Sequence, residues 1–217
     1  MCVICVSNIG VRQPNKEELT NMFKSNPHGA GYMYARDGKV HIHKGFMTLE
    51  DFLNAIKAEN FTENDSVVYH TRISTQAGCT KEMTHPYPLT KVYKNCTHLD
   101  LQCQCGIAHN GVIMMTSNGN PKYNDTTIFI VEYMTRILKK PDDLKDKNIL
   151  TIIQKLTNSK WAIMDSSGYV ATIGDFIKTK DNLLFSNSSY LPRTYYYVPP
   201  KKRSYYQSLF DDDYDND

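Results

Sequence analysis

The second residue begins an apolar run, CVICVSN over Cys2–Asn8. Its length and its valine and isoleucine content predict a buried strand at the very start of the chain. A strand buried there has to be received by other strands, which constrains the fold more than any later segment. It also carries the residue with the largest chemical consequence. Once Met1 is removed, Cys2 becomes the N-terminal residue and carries its own α-amine, with an unperturbed pKa of about 7.7–8.0. That lies close to what a general base needs near neutral pH. Nucleophile and base would then share one residue, as where a threonine is paired with an N-terminal amine. Cys5, three residues on, falls on the opposite face of a strand from Cys2 and reads as core. An incidental thiol at position 2 satisfies the same pattern, so the decision rests on the rest of the chain.

The 217 residues suit one domain, or one domain with a tail, long enough to bury a core. A hydrophobic share of 41% and a charged share of 22% argue against wholesale disorder. No stretch approaches 18 consecutive apolar residues, which excludes a helical membrane span. The opening lacks the basic and apolar regions of a signal peptide. The expected location is therefore cytoplasmic (host cytoplasm if the chain is viral, with which the asparagine- and lysine-rich composition is compatible). In that compartment Cys2, Cys5, Cys79, Cys96, Cys103 and Cys105 are expected as thiols. Cys103-Gln104-Cys105 is C-x-C rather than C-x2-C, with no second knuckle after it, which argues against zinc. No metal and no cofactor is expected.

Along the chain, Glu17–Lys24 reads as a helix capped near Asn15, with Leu19, Met22 and Phe23 on one face. Gly31–Lys44 reads as a hairpin around Asp37-Gly38. Thr48 caps a helix from Leu49 to Glu59, and Ser66–Thr71 is a strand. Residues 76–105, with Gly78, Pro86 and Pro88, read as a long loop with little regular structure. Gly106–His109 and Val112–Met115 read as two strand ends around Asn110-Gly111. Asp125 opens a helix to about Leu138, and Asn148–Leu156 forms another. Two further hairpins follow, Lys160–Ile173 and Phe176–Ser186. The predicted domain is 1–192. The tail, 193–217, is rich in tyrosine and basic residues and then acidic. Five of the 23 acidic residues lie in 211–217; without them 25 basic residues face 18 acidic ones, a formal +7 instead of +2. The tail reads either as a solvated terminus or as a docking segment for a protein or nucleic acid. Its aspartates oppose phosphate binding, so nucleic acid is not an expected partner.

Three later segments bear on Cys2. His70-Thr71-Arg72-Ile73-Ser74-Thr75 closes an apolar strand, and the Arg72 fork suits a carboxylate, although a surface arginine fits the same place. His109-Asn110-Gly111 ends a strand. It is either a hairpin turn or an oxyanion hole made by the Asn110 amide and the Gly111 N–H. Asn124-Asp125-Thr126 opens a helix, where a carboxylate can cap the helix, hold a substrate ammonium, or both.

Taken in order, these segments resemble the class II glutamine amidotransferase (glutaminase) domain of the N-terminal-nucleophile hydrolases. That family has a cysteine directly after the initiator Met, then H-x-R-[YWI]-[SA]-T, H-N-G and [SN]-D-T. Asn26–Gly31 (NPHGAG), His85-Pro86-Tyr87 and, more loosely, Phe185–Tyr190 (FSNSSY) resemble further segments of it. The resemblance runs from Cys2 to about Tyr190. It implies an α+β fold, a four-layer αββα sandwich of two mainly antiparallel sheets between helical layers. It implies that Cys2 attacks the side-chain amide of glutamine while its α-amine shuttles the proton. Asn110 and Gly111 would hold the oxyanion, Arg72 the substrate carboxylate and Asp125 its ammonium. Ser74, Thr75 and His85 would line the pocket, with His70 and His109 as strand-end hydrogen-bonders. Gly29 and Gly31 would permit close backbone approach near the active centre.

The sequence departs from the family in two places: Val3 stands where a glycine is common, and His28 where many relatives have aspartate. No acceptor domain follows, so the implied partner is a separate ammonia-accepting synthase subunit. Two alternatives stand beside a stand-alone glutaminase: an amidohydrolase of the same fold acting on another γ-glutamyl amide, and a non-catalytic binding module.

Overall fold

The computed structural model describes residues 2–74, 80–114 and 122–192. Thr75, Cys79 and the 193–217 tail lie outside the described residues. Strands β1 (Val3–Ser7), β2 (Ala30–Arg36), β3 (Lys39–Phe46) and β4 (Val67–Thr71) join three short ones, β6 (Asp100–Cys103), β10 (Ile177–Lys178) and β11 (Leu184–Phe185). They form an antiparallel sheet in the order β10-β11-β1-β4-β2-β3-β6. A second antiparallel sheet has the order β5-β7-β8-β9, from β5 (Tyr87–Pro88), β7 (Cys105–Asn110), β8 (Lys160–Asp165) and β9 (Val170–Ile173). The fold is thus α+β with two antiparallel sheets.

β1 is buried along its whole length, and its period of two feeds two different cores. Val3 and Cys5 face a core shared with Leu19, Met22, Phe23 and Phe52, from helices α1 (Lys16–Ser25) and α2 (Leu49–Glu59). Ile4 and Val6 face the second sheet, packing with Ala108, Ala162 and Met164. The other face of that second sheet presents Ile107, Trp161, Ile163 and Ile173 to Phe129, Met134 and Ile153. Those come from helix α3 (Asp125–Phe129), which runs on through a π-helical stretch (Ile130–Met134) and a last turn (Thr135–Ile137), and from α4 (Lys147–Thr157). Helices therefore cover the outer face of each sheet. Among the described residues no helix is long and apolar enough to cross a membrane.

Local chemistry explains most of these boundaries. Asn15 caps α1 in a capping box with Glu18, and Thr48 caps α2 through the Asp51 N–H. Asp37 and Gly38 both take positive φ, 52° and 68°, as a two-residue hairpin turn requires.

Two expectations are corrected. Within 76–105, the described part from residue 80 on is not a loop with little regular structure. It supplies β5, β6 and the first residue of β7, with short 3-10 turns at Lys81–Met83 and Tyr93–Thr97. Its anchor is Lys44, whose Nζ donates to the carbonyls of Glu82 (2.9 Å) and Cys96 (2.7 Å) and lies 3.9 Å over the Tyr87 ring. Burial pushes the Lys44 ammonium down to about 7. Asn110-Gly111 is likewise not a hairpin turn. Residues 112 and 113 form no strand, and β7 pairs instead with β5 and β8. The physical reason is the Ile113 N–H, which is taken by the Asp125 carboxylate rather than by a ladder partner.

Candidate active site

The register of β1 against β4 pairs Val3 with Thr71, so Cys2 stands across from Arg72. The Cys2 thiol donates to the Ile73 carbonyl at 3.6 Å. Burial raises the thiol above its ordinary range, and the Ile73 hydrogen bond and the Arg72 charge oppose that only in part. A thiol so placed needs a base to become a nucleophile.

Arg72 is stitched to the β2 entry by its backbone: its N–H donates to Gly29 O (2.8 Å) and its carbonyl accepts from the His28 N–H (2.9 Å). Gly31 allows the next close approach, because a Cβ there would collide with the His85 carbonyl. His28 Nδ1 accepts the Ser74 N–H at 2.9 Å. The Arg72 side chain is only 7% exposed. Its Nη2 donates to Ser74 Oγ at 3.2 Å, and its Nη1 is buried with no partner. Among the described residues no carboxylate forms an ion pair with it. Segments 75–79 and 115–121, which flank site residues in sequence, contain no acidic residue either. A buried cation without a counter-charge costs several kcal/mol, and an anionic ligand would remove that cost.

The clamp on the other side of Cys2 comes from the chain after β11. Asn187 Nδ2 donates to the Cys2 carbonyl at 2.7 Å. Ser186 brackets Ile4: its N–H donates to Ile4 O and its hydroxyl accepts the Ile4 N–H, both at 2.9 Å. The Asn110 carboxamide, from the end of β7, reaches the same hydroxyl at 2.9 Å through Nδ2, while its Oδ1 is buried without a partner. Gly111 sits against Ser159, whose side chain a Cβ at 111 would strike.

Asp125 accepts from the Ile113 N–H through Oδ2 and from the Thr126 N–H through Oδ1, both at 2.8 Å. The cap of α3 is Asn124, which accepts the Thr127 N–H at 2.8 Å. Thr126 Oγ1 meets His109 Nδ1 at 2.8 Å and His85 Nε2 at 3.4 Å. His70 Nε2 donates to the His109 carbonyl at 3.0 Å, and the His70 and His85 rings lie 4.3 Å apart. Asp125, Thr126, His109, His85 and His70 are thus tied into one cluster. Thr75 lies outside the described residues.

Burial pushes His70 and His109 each down to about 3, and drives His85 well below its usual range. All three are neutral in the folded protein near pH 7. Because their folded values lie below the unfolded 6.5, the unfolded chain binds more protons between pH 6.5 and 3. Stability is full above that window and is lost as pH falls through it. For His70 and His109 together the loss at pH 5.5 is roughly 3 kcal/mol. Urea midpoints between pH 7.5 and 5 should fall accordingly, and His109→Phe should flatten the slope.

Ser186 and Asn187 are residues that motif spacing did not assign to the site, and Thr126 stood in the Asn124-Asp125-Thr126 motif without a role. The FSNSSY segment contained the first two, but only their bonds to Ile4, Asn110 and Cys2 reveal their place. No family model matches the chain, and no curated protein matches it.

Proposed function

We propose that the chain is a stand-alone class II glutaminase of the N-terminal-nucleophile type, hydrolysing the side-chain amide of glutamine. The observation that carries this reading is the buried Arg72 guanidinium, which has no carboxylate partner among the described residues and stands where the β1–β4 register continues past Val3 and Thr71 to Cys2. An amino-acid head brings a carboxylate and an ammonium on one carbon. Arg72 and Asp125 offer the matching charges, and they form no ion pair with each other among the described residues. Two antiparallel sheets packed face to face, with helices outside, support the N-terminal-nucleophile layering as well.

With Met1 removed, the Cys2 α-amine takes the thiol proton and Sγ attacks the glutamine carbonyl carbon. The oxyanion forms against Asn110 Nδ2 and the Gly111 N–H. The protonated amine passes its proton to the leaving nitrogen, the C–N bond breaks, and ammonia departs from a cysteinyl thioester. Water then adds with the amine as base, and collapse releases glutamate and restores the thiol. The ammonia would pass to a separate acceptor enzyme in the cytoplasm.

Purified protein with Met1 removed should release glutamate and ammonia from glutamine. Asn110→Ala should lower kcat roughly 100-fold, about 3 kcal/mol of transition-state stabilisation. Intact turnover in that variant would remove the oxyanion role. Weak competition by free glutamine against another γ-glutamyl amide would move the substrate to that amide.

A further inference from the structure

Ser186 is fully buried, and its hydroxyl sits between the Ile4 N–H and the Asn110 carboxamide, 2.9 Å from each. The Ile4 hydrogen is fixed by the backbone, so Ser186 Oγ must accept there. With Asn110 Nδ2 also turned toward it, the hydroxyl accepts twice and its own hydrogen has no acceptor among the described residues. Asn110 Oδ1 is then buried and unpaired as well. Two buried polar groups are left unsatisfied by one choice of amide orientation. Half a turn about the last side-chain bond pairs these two with each other and leaves Nδ2 as the buried group awaiting an acceptor. Ser186 donates its hydroxyl hydrogen to Asn110 Oδ1, and Nδ2 takes the vacant side with both hydrogens unspent.

We propose that Ser186 is a positioning residue that sets the polarity of the Asn110 carboxamide, presenting its NH2 as a donor into the site. The Ile4 N–H fixes the direction of the Ser186 hydroxyl, and the hydroxyl fixes the amide. β1, which brings in Cys2, thereby also orients the Asn110 amide through Ile4 and Ser186. The neutral partner matters: a group that only accepted would hold Nδ2 away from the oxyanion. This inference rests on the glutaminase reading for its kinetic consequence but not for the hydrogen-bond direction itself.

The direction is read by neutron diffraction from deuterium-exchanged crystals. A deuteron on Ser186 Oγ aimed at Asn110 Oδ1 is expected; two deuterons on the Asn110 atom facing Ser186 would overturn the proposal whether or not the protein hydrolyses glutamine. In kinetics, Ser186→Ala should lower kcat for glutamine roughly 10- to 30-fold with KM within about twofold, as an oxyanion donor loses its aim. In an Asn110→Ala background the same change should alter kcat less than about twofold, because Ser186 acts through Asn110. A full additive loss in the double variant, or an undiminished kcat in the single one, would defeat it. Thermal melts of each variant separate a folding defect from lost positioning. If the parent protein fails to hydrolyse glutamine, the function falls while the neutron result still decides the orientation.

Discussion

Cys2→Ala should abolish glutamate release from glutamine, a loss of about 10⁴-fold or more. Its fold should survive almost unchanged, since the thiol makes one weak bond, to Ile73 O at 3.6 Å. Equal melting temperatures for parent and variant, with activity confined to the parent, are the expected pair of results. Turnover in Cys2→Ala would end the thioester mechanism. The same mechanism demands a processed N-terminus. Burial holds the thiol protonated at neutral pH, so a base must stand beside it, and with Met1 in place the α-amine belongs to the wrong residue. Mass spectrometry of the native protein should therefore find Cys2 first, and protein retaining Met1 should be as inactive as Cys2→Ala.

Arg72→Met should separate function from stability in opposite directions. Removing a buried guanidinium that would pair a substrate carboxylate is expected to cost roughly 4 kcal/mol in kcat/KM, about a thousandfold, mostly through KM. Removing the same buried charge, which no carboxylate pairs among the described residues, should stabilise the protein by about 1 kcal/mol, or roughly 3 °C in melting temperature. A structural arginine would behave otherwise: its loss would lower the melting temperature and leave KM alone. Steady-state kinetics and calorimetry on one preparation read both quantities.

The elements most legible in the sequence were those specified within a few residues. Asn15 with Glu18, Thr48 with Asp51, and Asp37-Gly38 act through short-range hydrogen bonds and φ preferences, and the helices and hairpin they predict are present. Apolar periodicity found Leu19, Met22 and Phe23 on the buried face of α1 for the same reason. Residues 80–105 were illegible because their order comes from outside the segment. A lysine on β3 satisfies two of its carbonyls and an aromatic face, and β6 exists by pairing with β3. Asn110-Gly111 misled because the dipeptide is a tight-turn signal in isolation, whereas Asp125, more than ten residues on, claims the Ile113 N–H. The candidate site divides the same way. Cys2, Arg72, Asn110 and Asp125 were visible as an ordered set of motifs. Ser186 and Asn187 join the candidate site through bonds spanning more than 70 residues.

The sequence alone determined the buried leading strand, the helix caps, the tight turn at Asp37-Gly38 and the candidate site residues. Each depends on groups a few bonds apart, whose preferences hold in any surroundings. Only the tertiary structure decided that Arg72 is buried without a counter-charge among the described residues, that burial drives three histidines toward the neutral form, and that a serine near the end of the domain faces an asparagine at the end of β7. Burial, desolvation and long-range hydrogen bonding belong to the packed protein, and no local stretch of chain carries them.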